Sequence, residues 1–265
     1  MPSANLANIK QWHDQSDVDY FTYFVKAWIP FNAWYRHSYD TLKTEREILD
    51  QVKSDGNSIR SRFIAKIEGG DSDGEEIRNH IAALHRRLSA DPLKGHNGKP
   101  VNFEKVFIGP NPQKYAEHKH GHWFYRVERI QGSKDVVSTI TSNRGRVAMK
   151  ITQTSGWKIE EFESHQGYIA LQNADDKSRL RQCYEAADPS CFASLLATSQ
   201  APEESISIAG YFFVKDKAAI FAGLIEILYA MRNLLFHGEL VPDPQTNRTY
   251  EPAYHLLRCL TKTII

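Results

Sequence analysis

Cysteine is scarce: three in 265 residues, none in a CxxC pair, so neither a disulfide framework nor a structural zinc site is indicated. Cys183, Cys191 and Cys259 read as reduced thiols. A charge of one sign is also lacking, since 33 Lys and Arg face 32 Asp and Glu, and a net +1 names no partner by itself. No apolar run reaches the roughly 20 uninterrupted residues of a bilayer span, because Glu226 and Arg232 break the best candidate at 218–236. The N-terminus lacks the basic-then-apolar layout of a signal peptide. These absences point to a cytoplasmic chain with no membrane partner. Its 41% apolar and 25% charged residues are ordinary for a globular protein, and its length suits one large domain or two modest ones.

Periodicity organises the chain. Tyr20, Phe21, Phe24, Trp28, Phe31 and Tyr35 recur at helical spacing, which predicts a helix from the capping-box-like pair Ser16 and Asp19 to about Tyr39. Pro30 cannot bond the carbonyl of Lys26, so a kink is expected beside Asn32. Asn32 then either satisfies the loosened carbonyls or lines a binding cleft. Helical patterns continue weakly over 41–53 and 57–68 and clearly over 75–88, and Pro92 closes the block. From about 102 the period changes: WFYRVERI, DVVSTIT and RVAMKIT, divided by turn residues at 131–134 and 142–146, read as an antiparallel meander. Helical patterning returns over 159–187, residues 194–207 read as a connecting loop, and Tyr254, Leu257, Leu260 and Ile264 mark the inner face of a last helix.

Within 104–150, nine Lys or Arg stand against four Asp or Glu. Arg126, Arg129, Arg144, Arg146 and Lys150, interleaved with Trp123, Phe124 and Tyr125, suit contacts to RNA phosphates and bases, or else a solvated sheet face. His118, His120 and His122 alternate as metal ligands on a strand would, but no carboxylate or thiolate completes a set, and no metal is expected.

The most informative stretch is 218–236, AAIFAGLIEILYAMRNLLF, where only Glu226, Arg232 and Asn233 are strongly polar. A helix apolar nearly all round belongs in a core or an interface, and its polar exceptions need partners. At roughly 100° per residue, Asn233 lies about 20° from the line of Glu226 and His237 about 40° beyond Asn233, while Arg232 points aside. Gly238 reads as the C-cap, and Pro242 and Pro244 forbid the helix from resuming. A histidine at a helix C-terminus is favoured as imidazolium, which suits general acid–base work near neutral pH.

Arg232-Asn233-Leu-Leu-Phe-His237, together with the aromatic helix KAWIPFNAWYRHSY at 26–39, resembles the HEPN superfamily of helical proteins. The resemblance implies a mainly α fold, a HEPN-like helical bundle; the meander, which the resemblance does not reach, reads as a small antiparallel β-sheet inserted into it, α+β overall, with 1–100 and 156–265 as the helical domain and 101–155 as the β-rich insertion. It also implies a metal-independent endoribonuclease without cofactor, whose cleft forms where two protomers of a homodimer set their motifs face to face. His237 would transfer protons, Arg232 would clamp the phosphate, and Asn233 would fix the imidazole or bond a phosphate oxygen. Glu226 would steady Arg232 or Asn233, and Asn32 would lie in the cleft. Such nucleases act as toxins or antiviral defence effectors under an antitoxin or sensing partner. Two alternatives stay open: Arg232 and His237 serve only an ion pair and a cap, or the chain is an inactive RNA- or protein-binding module.

Overall fold

A computed structural model of the chain describes residues 18–94, 100–262 and 264. Ser16 and the N-terminal residues read against a signal peptide lie outside these ranges. In chain order the elements are α1 (Tyr20–Ser38), α2 (Glu45–Ser54), α3 (Ser58–Lys66), α4 (Ser72–Ala90), β1 (Leu93–Lys94), β2 (Pro100–Val101), β3 (Val106–Pro110), β4 (Tyr115–His120), β5 (Trp123–Arg129), β6 (Val136–Ser142) and β7 (Val147–Gln153). Then come α5 (Ile159–Ser164), α6 (Gln166–Ile169), α7 (Ala174–Ala186), β8 (Ser190–Ala193), β9 (Ser205–Ile208), β10 (Tyr211–Val214), α8 (Lys217–Phe236) and α9 (Pro244–Thr261). Two units result: Met1–Val106 with Ala193–Ile265, and Phe107–Phe192.

The expected HEPN-like helical bundle with one inserted sheet is corrected. Among the described residues the strands form four separate sheets, a four-stranded one and three pairs, so the fold is mixed α+β. The extra pairs escaped the sequence reading because strands of two to five residues are too short to display alternation. β9 and β10 also hide in a stretch rich in Ser and Ala. They join through Ala209 and Gly210, both at positive φ (46° and 91°), which is the two-residue turn that matches strand twist.

In the first unit α1 starts where the Asp19 carboxylate accepts from the Thr22 N–H, and it runs on through Pro30 rather than ending there. Its Phe24 and Phe21 meet Tyr250 of α9 edge to face, and Trp28, Phe31 and Tyr35 extend the aromatic row inward. Full burial of one such ring contributes about 2–3 kcal/mol, so this seam holds the two ends of the chain together. α8 is long and apolar enough to cross a membrane, yet ten of its residues are buried inside this unit. Its Gly223 is required by close approach, since a Cβ there would collide with the buried Leu195 side chain.

The second unit has its own core. β4–β7 form an antiparallel meander whose inner face, Tyr125, Val127, Val136, Ile140, Met149 and Ile151, packs with Phe162 of α5 and Leu180, Cys183 and Tyr184 of α7. Residues 159–187 are helical as expected, but they belong with the sheet, so its unit ends at Phe192 rather than at 155.

Candidate active site

α8 begins where Asp216 accepts from the Ala218 and Ala219 N–H groups. Beyond Lys217 in its first turn, its charged residues are Glu226 and Arg232, six positions apart and so about 120° apart around the axis. Both face α2. The Glu226 carboxylate is buried and takes Arg46 Nη1 at 3.0 Å, with Arg46 Nη2 and Lys53 Nζ on its other oxygen. Asp50 closes the network at 2.7 Å from Arg46 and 2.6 Å from Lys53. The expectation that Glu226 steadies Arg232 or Asn233, or touches substrate, is therefore corrected: two cations from α2 already claim it.

Arg232 meets the first residue of α2, Glu45. Its Nη1 donates to Asn233 Oδ1 at 2.9 Å and lies 3.6 Å from Glu45 Oε2, while the guanidinium covers the Phe236 ring at 4.6 Å. Its Nε is buried without a partner, as are those of Arg60, Arg62 and Arg129, so that feature alone does not single it out. Glu45 sits in the first turn of α2 behind a Thr44–Glu47 capping box. It accepts from the Tyr35 hydroxyl at 2.6 Å and from Asn32 Nδ2 at 3.4 Å, and Asn32 also donates to the Tyr35 oxygen. Burial, reinforced by the Glu45 carboxylate, pushes the Tyr35 hydroxyl well above the ordinary tyrosine range and keeps it a donor. Asn32 thus serves this cluster and not carbonyls freed by Pro30.

His237 is the C-cap of α8, exposed, with its N–H on the Asn233 carbonyl at 2.9 Å. Gly238 follows at φ 66°, its N–H donating to Leu235 O and that of Glu239 to Leu234 O, the paired bonds of a Schellman cap. Gly238 thus caps the helix as expected, α8 does not resume, and the last helix starts earlier than Tyr250. Pro244 is the first residue of α9, a position that needs no N–H, with Asp243 as its N-cap. The Tyr250 hydroxyl of α9 donates to the Met231 carbonyl at 2.8 Å, one residue before Arg232.

The fold therefore gathers Arg232, Asn233 and Asn32 and adds two residues that the sequence reading missed, Glu45 and Tyr35. The only local signal for Glu45 is its place after a threonine cap. No side-chain hydrogen bond joins His237 to Asn233 or Arg232 among the described residues, so the expected Asn233–imidazole contact is absent. What the cluster can do follows from its parts: a guanidinium fixed on an aromatic ring offers N–H donors to a phosphate, and an exposed imidazole five residues on can move protons.

The arginine candidates in the second unit divide. Arg126 is spoken for by Glu128 at 3.0 Å and Glu117 at 3.5 Å and stacks over Tyr115 at 4.3 Å. Arg129 Nη2 donates to the carbonyls of Asn111 and Gln113, both at 2.8 Å, so it braces a loop rather than binding substrate. Arg144 and Arg146 are exposed in the β6–β7 turn. Trp123 and Tyr125 were expected to stack bases, but strand alternation turns them to the helical layer. There Tyr125 donates to Asp176 at 2.5 Å, and burial pushes its hydroxyl up to about 12. His122 leaves the strand and faces Asn143, and no three His, Cys, Asp or Glu among the described residues are grouped to hold a metal.

Compared with family models, curated proteins and solved structures, the chain matches none.

Proposed function

We propose that this chain is a metal-independent endoribonuclease. The reading rests on the local chemistry of 229–242 and not on a shared bundle fold. The observation that carries it is Arg232, anchored by Asn233, Glu45 and the Phe236 ring, five residues before a solvent-facing His237.

In the proposed reaction the 2′-oxygen of a ribose attacks the adjacent phosphorus as a base takes its proton. The bond to the 5′-oxygen breaks and an acid protonates that oxygen. The products are a 2′,3′-cyclic phosphate and a 5′-hydroxyl. His237 serves as base and acid, by two copies across a homodimer or one copy twice. Arg232 meets the negative charge that grows on the phosphoryl oxygens. Glu45, Asn32 and Tyr35 position the guanidinium. A homodimer brings in the second motif, and a toxin or antiviral defence role under an antitoxin or sensing partner would suit such an enzyme.

The test is the release of cyclic-phosphate ends from single-stranded RNA, with and without EDTA. Arg232→Ala and His237→Ala are each expected to lower the rate by about 10²–10⁴-fold. Cleavage by the double variant at the wild-type rate would remove both residues from the mechanism, and loss of activity on chelation would remove the metal-free reaction. A second reading, a binding module that does not cleave, is favoured by one contact: Glu45 at 3.6 Å from Arg232 makes a structural ion pair. It predicts RNA retained by the wild-type protein with no new ends.

A further inference from the structure

The open face of the β4–β7 sheet is not uniform. The strand register sets Lys119, Phe124, Thr141 and Val147 in one cross-strand row on the side away from the helices. The next row, Glu117, Arg126, Thr139 and Lys150, and the one beyond it hold the carboxylates of this face, Glu117 and Glu128, both paired with Arg126. Beyond the first row lie the two hairpin tips, tied to each other. The Asn143 N–H donates to His122 O at 2.8 Å, and Asn143 Nδ2 lies 3.1 Å from His122 Nδ1. Arg144 and Arg146 project from the second tip, a turn closed by bonds between Ser142 and Arg146 and by Gly145 at φ 77°.

Lys119, Arg144 and Arg146 form no ion pair with the described residues. An end with three uncompensated cations and no carboxylate complements a polyanion. It also carries apolar surface where a solvated tip needs none: Val147 is 57% exposed, and the Phe124 ring lies outward with Lys119 Nζ 5.3 Å from its centroid. A ring beside a cation, with phosphate-binding arginines at its edge, is the pairing that single strands use, because only unpaired bases can reach a ring to stack. An acidic peptide would use the cations and leave the ring idle.

We infer that the hairpin-tip end of this sheet binds single-stranded RNA, with Phe124 and Val147 under the bases and Lys119, Arg144 and Arg146 on the phosphates. This deepens the proposed function by adding a holding site for its substrate, and it rests on that reading for the choice of RNA. The measurement is fluorescence anisotropy of the full chain, carrying His237→Ala to keep the probe intact, with a fluorescein-labelled oligouridylate of about 12 nucleotides. Arg144→Ala with Arg146→Ala is expected to weaken binding at least tenfold at low salt. The slope of log K against log salt should flatten by about 1.4, from about 0.7 for each phosphate no longer neutralised. Phe124→Ala is expected to weaken binding about tenfold. Should it misfold, the exposed turn pair still decides the matter. Wild-type affinity and slope in the turn pair would overturn the inference, as would a polyglutamate peptide competing as well as unlabelled RNA. Cleavage by the wild-type chain is read separately. RNA held by the tips without cleavage refutes the active site alone, and cleavage with tip variants binding normally refutes the tips alone.

Discussion

Glu226 and Arg232 sit on one helix, face the same partner helix, and have opposite fates. Glu226 is closed off: both oxygens are taken by cations, and Asp50 takes what those cations have left. Arg232 is only anchored, by one hydrogen bond and a looser carboxylate, with an exposed histidine five residues on. A buried charge that is fully matched explains itself through stability. A half-matched one is less fully explained by stability, and its remaining N–H donors are what the proposed function draws on.

The contrast can be broken from either side. Glu226→Ala leaves Lys53 and Arg46 with the half-exposed Asp50 as their shared anion and is expected to cost about 3 kcal/mol, read by urea denaturation; a loss under about 1 kcal/mol would dissolve the distinction. Gly223→Ala drives a methyl into Leu195 and is expected to cost about 1–3 kcal/mol, which outweighs the roughly 1 kcal/mol of helix propensity gained. Gly238→Ala forces a side chain into the left-handed region at the cap and should cost about 1–2 kcal/mol, with His237 losing its setting. Arg232→Ala and His237→Ala should shift unfolding by only about 0.5 kcal/mol, unlike their effect on cleavage.

A pH series sharpens the same point with a histidine that is scaffold. His85 is buried among Phe103, Tyr211 and Phe213, and burial lowers its pKa below the usual 6.5 despite Glu104 nearby. The unfolded chain then binds a proton more readily, so stability is expected to fall as pH drops through 6.5 toward the folded pKa. His80 acts in the same direction. Melting temperature from pH 7.5 to 5.5 should fall more steeply in wild type than in His85→Phe, and parallel curves would reject the assignment.

What was legible in the sequence had length and repetition behind it. α1, α8 and the runs that became β5, β6 and β7 follow from side-chain period alone, and Gly238 announced its cap. Short pairs such as β9–β10 carry too few residues for a period, and Ala209 at positive φ breaks the composition rule for that turn. At the site, Arg232 and Asn32 were visible as polar residues on apolar helices, but their meeting point was not. Glu45 and Tyr35 join them through tertiary packing, which no local spacing encodes. Phe124 outward and Tyr125 inward, by contrast, were within reach of strand parity.

The Tyr250 hydroxyl on the Met231 carbonyl gives the last turn of α8 a clock hand set from outside the helix. That carbonyl precedes Arg232, so the azimuth at which the guanidinium leaves the axis is keyed to the seating of α9. Tyr250→Phe would keep the ring and its fill while removing the key. It therefore probes how firmly α9 seats the end of α8 without touching arginine or imidazole.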